Sequence, residues 1–458
     1  MGLFLYGTGT PKYALEFIAS CGLSTSYGTV LDAHTILADR LMEKAAEVAK
    51  GPHIFAFDNE QISMSQHRTQ RPGAVPMVRS CTTGIIYPAK RATMDACRLL
   101  PILERRKTAP LITYEDHIVP SMEEMRSNSM HLAKNIVRIL LENTEGFDQA
   151  RYADILKHEA HRPPQDNDKA TEEFVLRTVE IDESRTVGCM DFSSHVYKGQ
   201  LRHSTEIFKN LAILCINDQL TNSRMRAALK EREGDVTELD RMEPFQEAPG
   251  VFHLQMNKQW RLLSTHKGDE ATPGSLAFYA KFLDFRRVTK ERPDYYTLRS
   301  FLFQVLYANI LSTWSLKTGF TDLKKYAETN PDPSDMLETA FNILSDFCSE
   351  RGLEECAATD ILLQNAILLN RDLLYLFELD DAVSSGDFGR VEIMLGILAC
   401  MFHGSGGTNY CNEILHLLQN LKSSWPPAFA FVSAYIHYMI ALSLMIFLPV
   451  MLCAIIYL

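Results

Sequence analysis

The chain has 458 residues, enough for one large core or two ordinary ones, and its 46% hydrophobic and 22% charged residues are those of a folded rather than a disordered protein. A net charge of −11 and a pI near 5.7 work against a surface that attracts phosphate backbones. The dense basic clusters are short (Lys90-Arg91, Arg105-Arg106-Lys107, and Arg286-Arg287 with Lys290 and Arg292) and read as solvated helix faces.

The N-terminus MGLFLYGTGTPKY has no charged stretch leading into an apolar run, which argues against a secretory signal, and Tyr6 stands where a myristoylation motif needs Ser or Thr. Helical patterns over Tyr13–Ala19 and Thr29–Ala49 end at Gly51-Pro52. His53–Phe57 is a short apolar run ending in Asp58-Asn59 and reads as a buried strand. GIIYP at Gly84–Pro88 offers a second strand, close enough to pair with it. Ser121–Glu142 is helical by pattern, His158–Thr171 is a polar surface loop, and EEFVLRTVEI alternates as a strand does.

LAILCIND ends a central strand at Asp218 and runs into the helix QLTNSRMRAAL. Beyond Phe252 nearly everything reads as helix: Phe252–Leu263, Ser275–Phe285, Tyr296–Leu316, Pro333–Glu350, Thr359–Leu379, Val391–Phe402 and Tyr410–Leu421. This divides the chain into a mixed α/β core at 1–250, a mainly helical part at 251–421 and an apolar segment at 429–458. That last segment is long enough to span a bilayer core of about 30 Å. It is either a membrane anchor, a buried terminal helix or the translation of non-coding sequence.

None of the ten cysteines forms a C-x-x-C pair. Cys400 with His403 and Cys411 with His416 have near-ligand spacing but lie in apolar helical patterns, which favours packing over metal. The signatures G-x-x-x-x-G-K-[ST], H-E-x-x-H and G-x-S-x-G are absent. GSGGTNY at Gly404–Tyr410 lacks a phosphate loop's lysine and reads as a helix–helix connection.

Several phrases recur in order: GLFLYGTGTPKYALEFIASCGLSTSY, AFDNEQ, INDQLT, APGVFHLQMN, SGDFGRVE and MFHGSGGTNYCNEIL. Together they resemble a family catalogued as domain of unknown function 6589, abundant in mushroom-forming fungi, over residues 1 to 421. Glu60-Gln61 departs from that family's Asn-rich continuation after Asp-Asn. The spaced acids are similar to those of the ribonuclease-H-like cores of cut-and-paste transposases. The resemblance implies an α/β fold with a small mixed sheet of ribonuclease-H-like character and a large helical portion in the C-terminal half.

It also implies two hard divalent ions, Mg²⁺ or Mn²⁺, held by carboxylates roughly 4 Å apart, with DNA as substrate and the nucleus as location. Asp58 and Asp218 at strand ends supply two acids, and Glu413 on a late helix supplies the third; Asp387, Glu392 and His253 are alternates. A plainer account stands beside this one. Asp58 and Asp218 are ordinary strand-ending and capping residues, His253 and His403 are core histidines, and Glu413 faces solvent. On that account the chain is a non-catalytic interaction protein, intracellular or held at a membrane through its tail.

Overall fold

A run of apolar residues between turn signals starts the sheet. In the computed structural model, which describes residues 1–64, 77–161 and 172–433, three helices come first: α1 (Gly2–Gly7), α2 (Lys12–Ser20) and α3 (Tyr27–Val48). Strands β1 (His53–Met64) and β2 (Met77–Pro88) pair antiparallel along their whole length, from His53 opposite Pro88 to Met64 opposite Met77. The strands expected over His53–Phe57 and Gly84–Pro88 are the base of this longer hairpin.

Helices α4 (Leu99–Thr108) and α5 (Met122–Asn143) follow, the second opened by a reciprocal Ser121–Glu124 capping box. Next come β3 (Phe174–Val175), α6 (Thr186–Ser194), β4 (Ile213–Asn217), α7 (Gln219–Glu231) and β5 (Phe245–Pro249). The main helices beyond are α8 (Val251–Thr265), α9 (Tyr295–Thr318), α10 (Pro333–Phe347), α11 (Ile361–Ser385), α12 (Phe388–Gly404) and α13 (Thr408–Gln419). The fold is therefore α/β, with one small mixed sheet and a large helical portion. The apolar tail from residue 434 lies outside the described residues, among which no helix is long and apolar enough to cross a membrane.

Two compact units interleave in sequence. The first takes residues 1–111, 166–250 and 419 onward, and the second takes 112–165 and 251–418. The first unit holds the sheet, in the order β3-β2-β1-β4-β5, with β4 parallel to both β1 and β5. Phe55 and Phe57 project to one face, where Phe192, Tyr197 and Phe245 join them with ring centroids 5.0–6.2 Å apart.

Strand β5 was invisible to hydropathy because its buried centre is polar. Gln246 is fully buried, and its amide is satisfied by Arg106 Nη2 (2.7 Å), Trp425 Nε1 (3.3 Å) and the Glu243 carbonyl (2.8 Å). Arg105 meanwhile donates to the Ser423 carbonyl at 2.8 Å. Arg105 and Lys107 are exposed, as a solvated face requires, while the half-buried Arg106 serves as a structural anchor.

The second unit is a helical bundle built on α5, α9, α10 and α11, with Trp314 buried at its centre and donating to the Ile136 carbonyl at 3.2 Å. Asp294 and Asp360 cap the starts of α9 and α11, and Gly319 and Gly386 end them at positive φ, where a side chain would be strained.

Backbone pairing of β1 with β4 covers only Ile54–Leu214 and Phe55–Cys215. One step further along, the Asn217 side chain takes over: its Oδ1 accepts the Phe57 N–H at 3.0 Å in a fully buried contact. Asn217→Ala strands that buried donor, and we expect a loss of about 1–3 kcal/mol in chemical denaturation. An unchanged midpoint would show that the contact contributes nothing.

Candidate functional site

Pairing of β1 with β4 ends at Phe55–Cys215, and Asp58 on β1 and Asp218, the residue that follows β4, lie towards the same end of these parallel strands, where the charges of both act on Glu183. Asp58 and Glu60 alternate onto the face opposite Phe57. Asp218 is the N-cap of α7 and accepts the Thr221 N–H at 2.7 Å, as the capping account expects.

A third acid, not foreseen from the sequence, belongs to this edge. Glu183 is 3% exposed and accepts the Thr221 hydroxyl at 3.0 Å, so Thr221 is shared between Asp218, through its backbone, and Glu183, through its side chain. Cys189 donates its thiol to the Glu183 carbonyl at 3.2 Å, with the carboxylate at 3.7 Å. Gly188 permits this approach, because a Cβ there would stand 1.8 Å from the Asp182 carbonyl oxygen. The signal available in sequence was the pair Asp182-Glu183 between an alternating segment and a helix start.

Burial pushes the Glu183 carboxyl up to about 7; the Thr221 hydroxyl opposes this, while the Asp58 and Asp218 charges reinforce it. Burial raises Glu60 as well, with the Asp58 charge adding to it. Glu60 Oε2 is buried without a hydrogen-bond partner. The donors here are hard oxygens, the kind that suits Mg²⁺ or Mn²⁺.

The remaining sequence candidates lie in the second unit. Glu413 is on α13 and buried rather than facing solvent. Asp387 is the N-cap of α12, accepting from the Gly389 and Arg390 amides. Glu392 is half-buried within α12, and His253 is half-buried near the start of α8. His403 and Cys400 are exposed, which departs from the core positions expected of them.

Among the described residues, the one trio whose ligand atoms all lie within 4.8 Å of one another is His158, Glu378 and Asp381. A cation already sits on it. Arg390, 2% exposed, forks onto Glu378 at 2.9 and 2.8 Å and reaches Asp381 at 2.6 Å, and Arg138 pairs with the other Asp381 oxygen. Two arginines balance two carboxylates, so a metal ion would have to displace them.

Residues 106–438 match the model of a family of unknown function, DUF6589. The chain belongs to that family. The match spans all of the second unit and the strands β3, β4 and β5. No curated protein and no solved structure matches the chain.

Glu183 makes stability depend on pH in a defined sense. Its folded value lies above the usual 4.5, so its contribution is full below about 4.5 and is lost as pH rises through about 7. Burial lowers His53 and His131 from 6.5 to about 4, and these act in the opposite sense, costing stability as pH falls from 6.5 towards 4. The difference between wild type and Glu183→Gln isolates the carboxyl. Between pH 4.5 and 7.5 without metal, the wild type should lose on the order of 3 kcal/mol relative to the variant. Parallel curves would show that Glu183 is ionised in the fold.

Proposed function

We propose that this DUF6589 member is a transposase-derived, metal-dependent nuclease-like core acting on DNA phosphodiesters. Asp58, Asp218 and Glu183 would hold Mg²⁺ or Mn²⁺ at the edge where β1 and β4 end. The observation that supports this reading is that the buried Glu183, held by Thr221, feels the charges of both Asp58 on β1 and Asp218 just beyond the parallel strand β4. A mixed sheet of this strand order and these directions is also the kind a ribonuclease-H-like core uses. Without an ion the carboxylates repel one another, and Glu183 relieves part of that repulsion by keeping its proton.

A divalent ion bound there would activate a water or 3′-hydroxyl and steady the leaving oxygen. The chain's own part is positional. Asn217 fixes the strand register, and Thr221 holds both Asp218 and Glu183 in place.

A second reading, a non-catalytic interaction protein, draws on exposed apolar side chains in the first two helices and the turn after α2: Phe4, Tyr13, Phe17 and Leu23 are each more than 60% exposed.

Calorimetric titration with Mn²⁺ and nicking of supercoiled plasmid separate the two. The nuclease reading expects Mn²⁺ binding and nicking that fall by about 100-fold or more in Asp58→Asn and Asp218→Asn, with circular dichroism unchanged. Glu183→Gln should weaken Mn²⁺ binding as well, which identifies Glu183 as the third acid. A wild-type chain that neither binds Mn²⁺ nor nicks DNA would leave the interaction protein as the account.

A further inference from the structure

A nucleophile-and-base arrangement lies in the helical unit, away from the carboxylate edge. Ser127 and His131 stand one turn apart on α5, with Ser127 Oγ 3.3 Å from His131 Nε2 and 2.7 Å from His161 Nε2. On its far side, His131 Nδ1 meets His158 Nδ1 at 2.7 Å, and His158 Nε2 faces Asp381 Oδ2 at 3.4 Å.

The far end of this chain sets its direction. The two arginines hold Asp381 ionised, well below the usual carboxylate range despite burial, so it can only accept. His158 Nε2 makes no hydrogen bond, but the Asp381 charge 3.4 Å away favours the tautomer with the proton on Nε2 and a bare Nδ1. His131 must then donate from Nδ1, which leaves His131 Nε2 bare towards the Ser127 hydroxyl. Ser127 donates to that nitrogen and accepts from His161 Nε2–H. Each link forces the next, and the result is a serine hydroxyl directed at an imidazole whose tautomer is fixed from behind.

Accessibility matches the roles. Ser127 is half-buried and His161 exposed, whereas His131 is buried. Asp387 accepts the His161 backbone N–H at 2.8 Å and fixes that residue over the serine. An ordinary helix serine bonds the carbonyl one turn back; this one is engaged by two rings instead.

We propose that Ser127 is a nucleophile for acyl transfer from small activated esters or thioesters, with His131 as general base, His161 as donor to the carbonyl oxygen, and His158 and Asp381 as positioning residues. Ser127 Oγ bonds to the acyl carbon as its proton passes to His131 Nε2. The bond to the leaving oxygen or sulfur breaks as that proton is delivered to it, and a water then releases the acid and restores the serine. Burial, with the Arg390 charge adding to it, lowers His131 to about 4. The base is therefore free at neutral pH but weak, so covalent labelling is a better readout than turnover.

The test is fluorophosphonate labelling of the full chain, located by peptide mapping. Ser127 should label first, and labelling there should be lost in Ser127→Ala and slowed by about tenfold or more in His131→Asn. A Ser127→Cys chain gives an independent measurement, because exposed Cys21 and Cys400 serve as internal references. At pH 6 iodoacetamide should modify position 127 about tenfold faster than either reference, since the unprotonated His131 imidazole accepts the thiol proton as the sulfur–carbon bond forms. Labelling of Ser127 no faster than that of exposed serines, with alkylation at the reference rate, would overturn the proposal and leave the chain of rings as a structural network.

Discussion

The contact on which the first unit depends is the buried one between the Asn217 amide oxygen and the Phe57 N–H. Strand β4 ends at Asn217, yet β1 continues for seven further residues to Met64. A side chain that mimics the next carbonyl of the ladder keeps the two strands in register where the backbone can no longer do so. A one-residue slip would turn the Phe55–Phe57 pair away from Phe192 and Phe245 and shift Asp58 relative to Asp218. Core and candidate site are therefore set by one hydrogen bond. The same residue is polar for a second reason: its Nδ2 approaches Asn222 Oδ1 and Met225 Sδ on α7, which ties the strand to the helix that Asp218 caps.

Closure of the first unit uses the same device at another place. Gln246 is where α4, β5 and the segment around Trp425 meet, though these are far apart in sequence. Its carbonyl takes two donors, the Arg106 guanidinium and the Trp425 indole, and its amide a backbone acceptor, so every polar group of this buried side chain is satisfied. A sheet closed by amide contacts of this kind has a defined geometry, because hydrogen bonds are directional where apolar packing alone is not.

These choices explain which parts of the fold could be read from the sequence. The bases of β1 and β2 and the whole of β4 were legible as short continuous apolar runs between turn signals, and the long helices because burial on one face leaves a period of 3.6 in the residue types. Asp218 was legible at a strand-to-helix junction. Strand β5 was not, since FQEAP carries Gln246 and Glu247 in buried positions and nothing local reveals that Arg106 and Trp425 satisfy the first. The EEFVLRTVEI segment alternated well but pairs as a strand only at Phe174–Val175, with an isolated bridge at Val179. Glu183 escaped for a related reason: its significance comes from Thr221, 38 residues on, and from two charges brought in by other strands. The His131–His158 contact and the fork of Arg390 are likewise tertiary, set by the packing of α5 against α11 and α12.

The two acidic clusters differ in how their charge is met, and that difference separates structure from chemistry. Glu378 and Asp381 are answered by guanidinium groups at hydrogen-bonding distance, a closed balance in which each carboxylate oxygen has a donor. Removing either partner leaves a buried charge, so such a set is costly to disturb and poorly suited to exchange with a solvent ion. At hydrogen-bonding distance Glu183 is answered by a hydroxyl and a thiol, with the Arg224 charge acting on it as the smallest influence, and Glu60 retains a buried oxygen with no donor. Neutral donors lower the energy of a carboxylate without cancelling its charge. What remains is a field that a proton relieves in part and a doubly charged cation would relieve further. The two would compete for the same oxygens, so on the proposed reading an ion taken up at this edge would release the Glu183 proton. That coupling would tie metal affinity to pH across the neutral range.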